Sequence, residues 1–151
     1  MKKLFTLLLS IFLAGVHFTV TAQTVKESKV PAAVKESFKK QHPDMYVYEW
    51  EFKKKKQLYE AEFLHKGAKH EAHFTPDGKW LLTKRDIKRK DLPAKILEAI
   101  AGSQYSHWEI DDAEEQQTPS GLVYKVELEQ GKQELYLYIT AQGKIEKTVQ
   151  K

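Results

Sequence analysis

The sequence has no cysteine among its 151 residues. That excludes disulfide scaffolds, thiolate zinc sites, iron–sulfur clusters, cysteine nucleophiles and lipid attachment through an N-terminal cysteine, so stability has to come from packing. Glycine (7) and proline (5) are sparse, which argues against a collagen-like or disordered chain. The length excludes a large multidomain enzyme. What is present, 41% hydrophobic and 30% charged residues with three Trp, seven Tyr and seven Phe, is enough for one core or two small packed units.

Met1-Lys2-Lys3 is a short basic lead, and Leu4 to Gly15 is an apolar run that turns mixed at His17 and Thr19. Val20 and Ala22 suit the −3 and −1 positions of a signal peptidase, so residues 1–22 are expected to be a signal peptide cleaved before Gln23. The run is shorter than the ~20 residues that span a bilayer, and no stable membrane insertion is expected after cleavage. Cleavage removes Lys2 and Lys3 and no acid, which halves the formal charge of +4. The remaining basicity gives no reason to expect a nucleic-acid partner, and a periplasmic or secreted location argues further against one.

The rest of the chain repeats itself. Val30-Pro31-Ala32 opens one segment and Leu92-Pro93-Ala94 another, each with proline at a helix start, where its missing N–H costs nothing. Val30, Val34 and Phe38 in the first, and Leu92, Ile96 and Ile100 in the second, form one apolar stripe per helix. Asp91 is placed to cap the second helix. Tyr59-Glu60-Ala61-Glu62-Phe63 matches Tyr124-Lys125-Val126-Glu127-Leu128 with the two-residue period of a half-buried strand. Asp77-Gly78-Lys79 and Gln142-Gly143-Lys144 read as matching hairpin turns. Tyr46, Tyr48, Trp50 and Phe52 are expected on one face of a further strand, with Trp108 and Ile110 as their counterparts.

These patterns predict an α+β fold of two tandem repeats, each one helix packed on a four-stranded antiparallel sheet. A lead of residues 23–29 would precede repeats at 30–87 and 88–151, with the charged stretch Lys84 to Asp91 as the short join. The two sheets should lie side by side or merge, leaving a broad face opposite the helices. In the second repeat, Asp111-Asp112 and Glu114-Glu115 stand where the first has Glu49-Trp50 and Phe52, so its early strand is expected to be ragged or exposed.

The proline-led helix, the Tyr-x-[Ala/Val]-Glu-[Phe/Leu] strand and the Gly-Lys hairpin, each present twice behind a signal peptide, resemble the PepSY-like, beta-lactamase-inhibitor-like family of exported bacterial proteins. The resemblance implies tandem α+β repeats in the periplasm, no known enzymatic activity, and a fold related to inhibitors that grip an enzyme with a concave sheet. It assigns no site residues to this chain.

Among candidate sites, His65, His70 and His73 invite a metal reading. On an extended strand, however, His70 and His73 point to opposite faces, and His65 lies across a turn at Lys66-Gly67, so no metal and no cofactor is expected. His73 shares a face with Glu71 and can meet Glu60 or Glu62, which suggests an exposed charged cluster. Glu60/Glu62 and Glu127/Glu129 read as solvent faces without catalytic chemistry, and Ser37, Ser103, Ser106 and Ser120 lack a nucleophile context, so no catalytic residue is assigned. Lys53 to Lys56 reads as a solvated turn, and Lys84 to Lys90 as a solvated charge run. Tyr136 and Tyr138 alternate with Leu135, Leu137 and Ile139; if the aliphatic set packs under the helix, the two tyrosines face away and are the candidate partner-binding residues. The expected function is an exported, non-enzymatic binding protein, an inhibitor or envelope accessory, that engages a protein or peptide through its open sheet face. A small-ligand or metal carrier with a cleft between the repeats is the alternative.

Overall fold

A computed structural model describes residues 23–151; the expected signal peptide lies outside the described residues. The two apolar stripes become two helices, α1 (Ala32–Gln41) and α2 (Ala94–Ala101), with Val34, Phe38, Ile96 and Ile100 buried. Pro31 and Pro93 are the N-caps, each with a carbonyl that accepts two first-turn N–H bonds, from Val34 and Lys35 and from Ile96 and Leu97. Asp91 caps nothing: it ends a 3-10 turn, Arg89–Asp91, two residues before the proline that sets the entry of α2.

Among the described residues, nine strands form one sheet in sequential order, with every neighbouring pair antiparallel. They are β1 (Gln23–Thr24), β2 (Val47–Lys53), β3 (Leu58–His65), β4 (Ala68–Phe74), β5 (Trp80–Asp86), β6 (Glu109–Thr118), β7 (Gly121–Gln130), β8 (Gln133–Thr140) and β9 (Ile145–Gln150). Residues 23–24, read from sequence as a lead, instead form strand β1 on the edge of β2, with Gln23 opposite Phe52. The stretch from Lys84 is no loose linker either. Lys84, Arg85 and Asp86 belong to β5 and pair with Gln116, Glu115 and Glu114 of β6, which fuses the two halves of the sheet.

Both apolar clusters lie on one side of this sheet. Val34 and Phe38 of α1 pack with Trp50, Ala61, Phe63, Ala72 and Phe74; Ile96 and Ile100 of α2 pack with Ala113, Tyr124, Val126, Leu128, Leu135, Leu137 and Ile139. The clusters share no residue. Phe38 meets Trp50, Phe63 and Phe74 edge-on, with ring centroids 5.3–6.3 Å apart, a favoured aromatic geometry.

The hairpins before β5 and β9 have the same build. Thr75 and Thr140 each accept N–H bonds from a glycine (Gly78, Gly143) at the carbonyl and from a lysine (Lys79, Lys144) at the side-chain hydroxyl. Both glycines have positive φ, and each tucks its turn beneath the first turn of a helix, Gly78 at Ala33 and Gly143 at Lys95.

Two strand expectations change. A bulge between Val47 and Glu49 breaks the alternation of β2: Trp50 is buried on the helix side, Tyr48 turns to donate its hydroxyl to Glu62, and Tyr46 lies outside the strand, 80% exposed. The early strand of the second half is longer than expected, β6 running ten residues along β7 with Glu114 met by Lys84 and Lys125, but its start is exposed at Asp111 and Asp112 and bulged between Ile110 and Asp112, as the acidic sequence implied.

Candidate functional site

The face opposite the helices follows from register. A two-residue turn, Lys66-Gly67, both with positive φ, sets His65 opposite Ala68, which puts Glu60 opposite His73 and Glu62 opposite Glu71. Glu71 then lies opposite Lys84, Glu114 opposite Lys125, Lys125 opposite Tyr138, and Glu127 opposite Tyr136. Side chains two apart on a strand share a face, so His73 and these glutamates, lysines and tyrosines project away from the two apolar clusters, while His65 and Ala68 lie on the helix side.

The result is a ladder of alternating charge that runs across the strands. Lys53 bridges Glu51 and Glu60, and contacts Glu60 Oε1 at 3.0 Å. Lys69 reaches Glu62 at 2.8 Å and Glu71 at 3.4 Å; Lys84 reaches Glu71 at 2.9 Å and Glu114 at 3.4 Å; Lys125 lies 3.6 Å from Glu114. Lys125 sits 4.1 Å from the centroid of the Tyr136 ring, Lys147 lies 5.4 Å from that of Tyr138, and Lys151 joins Glu127 to Glu134 beside Tyr136. Tyr136 and Tyr138 thus stand on the side away from Leu135, Leu137 and Ile139, half-buried under lysines.

Two features differ from the sequence expectations. Glu60, Glu62, Glu127 and His73 are buried, with Glu60 3% and His73 9% exposed, so they are neither solvent faces nor an exposed cluster. Strand alternation looks the same for an exposed charged face and for one closed over by its own ion pairs. The usable signal was opposite charge at facing positions. Lys84, read as part of a solvated run, is an internal member of the ladder.

Burial and pairing set the ionisation. Burial pushes the Glu60 carboxyl up, but His73 and Lys53 outweigh it and hold the group at about 2. Glu114 is lowered in the same way: burial opposes, and Lys84, Gln116 and Lys125 prevail. Burial also depresses Lys84, but Glu71 and Glu114 raise it overall. Lys69 is raised, chiefly by its hydrogen bond to Glu62.

A second concavity, about 480 Å³, opens on the helix side where the halves meet. His65 and His70 line it, and His73 does not; His42, from the C-terminal cap of α1, joins them although 23 residues or more of chain separate it from the others, a meeting that local spacing does not reveal. His42 Nε2 lies 2.9 Å from Thr83 Oγ1, and that hydroxyl accepts from Trp80 Nε1. Burial, then the other imidazoles, lowers the pKa of His42; burial and His65 lower that of His70, against the opposing pull of its Ala68 carbonyl contact. Arg85 and Glu115 form a bidentate pair at the rim, at 3.2 and 2.9 Å.

A sequence model of the family described as "Putative beta-lactamase-inhibitor-like, PepSY-like" matches residues 17–63 and 57–147. Among solved structures, a BLIP-like protein from Bacteroides fragilis is similar at 27% identity and a TM-score of 0.68, over 80% of this chain and 86% of its own. DUF2874 family proteins from Bacteroides uniformis and Bacteroides ovatus share the fold at 23% and 24% identity, with TM-scores of 0.66 and 0.67, over 80% of this chain and 88% and 86% of theirs. No curated protein sequence matches the chain.

Proposed function

The chain belongs to the PepSY-like, beta-lactamase-inhibitor-like family, and from that premise we propose that it is an exported, non-enzymatic protein that binds a protein or peptide through the sheet face opposite its helices. We read the chain as a duplicated unit of one helix and four strands, with β1 added at the edge. The observation that carries the docking role is the one-sided build: both apolar clusters and both helices occupy one side, while the other presents half-buried tyrosines within a fixed array of charge. A rigid sheet loses little conformational entropy on binding, and ring faces held by lysines offer contact area without a hydrophobic patch that would aggregate. A BLIP-like neighbour and a family description that names inhibitors support a protein as the occupant. Export to the periplasm or beyond rests on the signal-like residues 1–22.

The test is crosslinked capture from native envelope with the protein and its Tyr136→Ala/Tyr138→Ala variant, partners being identified by mass spectrometry. A partner held by the wild type and lost by a folded double variant is expected. Equal capture by both removes this surface from consideration. The histidine-lined cavity at the join favours a second reading, a small-ligand carrier; a ligand that protects His42 and His70 from carbethoxylation would favour it over docking.

A further inference from the structure

We propose that the open face holds an anchor pocket at Leu81, Val123 and Tyr138, and that it takes a partner loop whose tip carries an aromatic side chain followed by a carboxylate. This rests on the docking reading and names where on that face the binding energy resides. Most of the face is unable to supply it. Along the ladder the carboxylates already have their lysines, so a partner laid over it strips water from those ions without giving them better partners. Tyr136 is in the same position. Lys125 and Lys151 stand 4.1 and 5.9 Å from its ring centroid, and both are committed to carboxylates, Lys125 to Glu114 and Lys151 to Glu127 and Glu134.

The ladder ends at Gln116, whose Nε2 donates to Glu114 at 2.7 Å. Val123 lies opposite Gln116 and two residues before Lys125, so it shares the open face. Here the charged rungs give way to a concavity of about 530 Å³ with Leu81, Val123 and Tyr138 in its wall, each half-buried and so still partly in contact with water. Covering that surface is favourable, and the anchors of protein interfaces sit in such hollows. The rim fixes the sign of the occupant's charge. Lys147 stands 5.4 Å from the Tyr138 ring centroid and has no carboxylate partner among the described residues, because the adjacent Glu146 pairs with Lys144 at 3.7 Å. Burial, then Glu114, raises the Tyr138 pKa, so its hydroxyl stays a donor at neutral pH. An ammonium and a phenol beside an apolar hollow suit a carboxylate attached to an apolar group, which a protein loop supplies on adjacent residues. The paired charges next to the hollow then form the water-excluding border that surrounds an anchor in protein interfaces and that a small molecule leaves uncovered.

The experiment maps amide chemical shifts of the isotope-labelled protein during titration with acetyl-Gly-Phe-Glu-Gly-amide, and with the same peptide carrying lysine for glutamate or glycine for phenylalanine. Millimolar binding of the first peptide is expected, since a free peptide has to be ordered on binding, with the largest shifts around Leu81, Val123 and Tyr138. Affinity should fall severalfold with either altered peptide and in Tyr138→Ala, and stay unchanged in Tyr136→Leu. Lys147→Gln, at an exposed position, serves as the loss variant should Tyr138→Ala fail to fold, and it should erase the preference for glutamate over lysine. The proposal is overturned if no shift appears at this end of the face, if the lysine peptide binds as well as the glutamate peptide, or if folded Tyr138→Ala or Lys147→Gln keeps full affinity. These outcomes are separate from envelope capture: a partner that docks while the peptides fail keeps the docking reading and excludes this pocket.

Discussion

A Cβ built on Gly78 would stand 2.5 Å from the carbonyl oxygen of Ala33, in the first turn of α1. Gly78 also has φ +88°, so two constraints coincide at one residue. Gly78→Ala should cost about 3 kcal/mol or more, because positive φ alone costs about 1–2 kcal/mol and the helix has to lift off its turn as well. Gly143→Ala, with its Cβ 3.0 Å from the Lys95 carbonyl, should cost less, and Gly131→Ala, with φ +65° and open space around it, only about 1 kcal/mol. Urea midpoints of the three variants check the order.

Lys84 ties the halves of the sheet together, because Glu71 precedes the join and Glu114 follows it. Lys84→Met should destabilise the fold by about 3 kcal/mol, since it leaves two largely buried carboxylates short of a partner. Adding Glu71→Gln and Glu114→Gln should recover part of the loss, and a chemical-denaturation cycle measures how much.

Stability should fall in two stages as pH drops. His42 and His70 have lowered pKa values in the fold, so the unfolded chain takes up protons first as pH falls through about 6.5, and stability is lost there. Glu60 has a folded value of about 2 against an ordinary 4.5, so its contribution is full above 4.5 and disappears between 4.5 and about 2. For this buried group the lost stabilisation is on the order of 3 kcal/mol. Melting temperatures from pH 8 to 2 should show both stages, with His42→Gln weakening the first and Glu60→Gln the second.

Tyr136 should matter to stability through its ring and not its hydroxyl, because Lys125 lies over the ring face. Tyr136→Phe is expected to melt like the wild type, and Tyr136→Leu to lose about 1 kcal/mol. A loss in the Phe variant equal to that in the Leu variant would contradict this.

Period and punctuation revealed much of the architecture. The Val30/Val34/Phe38 and Leu92/Ile96/Ile100 stripes located the helix faces, and Gly78 and Gly143 the hairpins, since these depend on local spacing alone. Four features escaped because they depend on partners distant in sequence. The bulge at Val47/Glu49 moved Tyr48 off the Trp50 face, β1 needed the edge of β2, and Glu60 became buried only when Lys53 and His73 closed over it. His42 joined His65 and His70 for the same reason: a helix end and a strand pair meet only once the sheet is assembled.

The four-residue pairing of β5 with β6 joins two apolar clusters that have no side chain in common, and its cross-strand contacts are ionic and polar. Each half therefore has an apolar core of its own, and the seam between them is held by backbone pairing and charge. The ionic part of that seam weakens as salt rises, while the two cores do not.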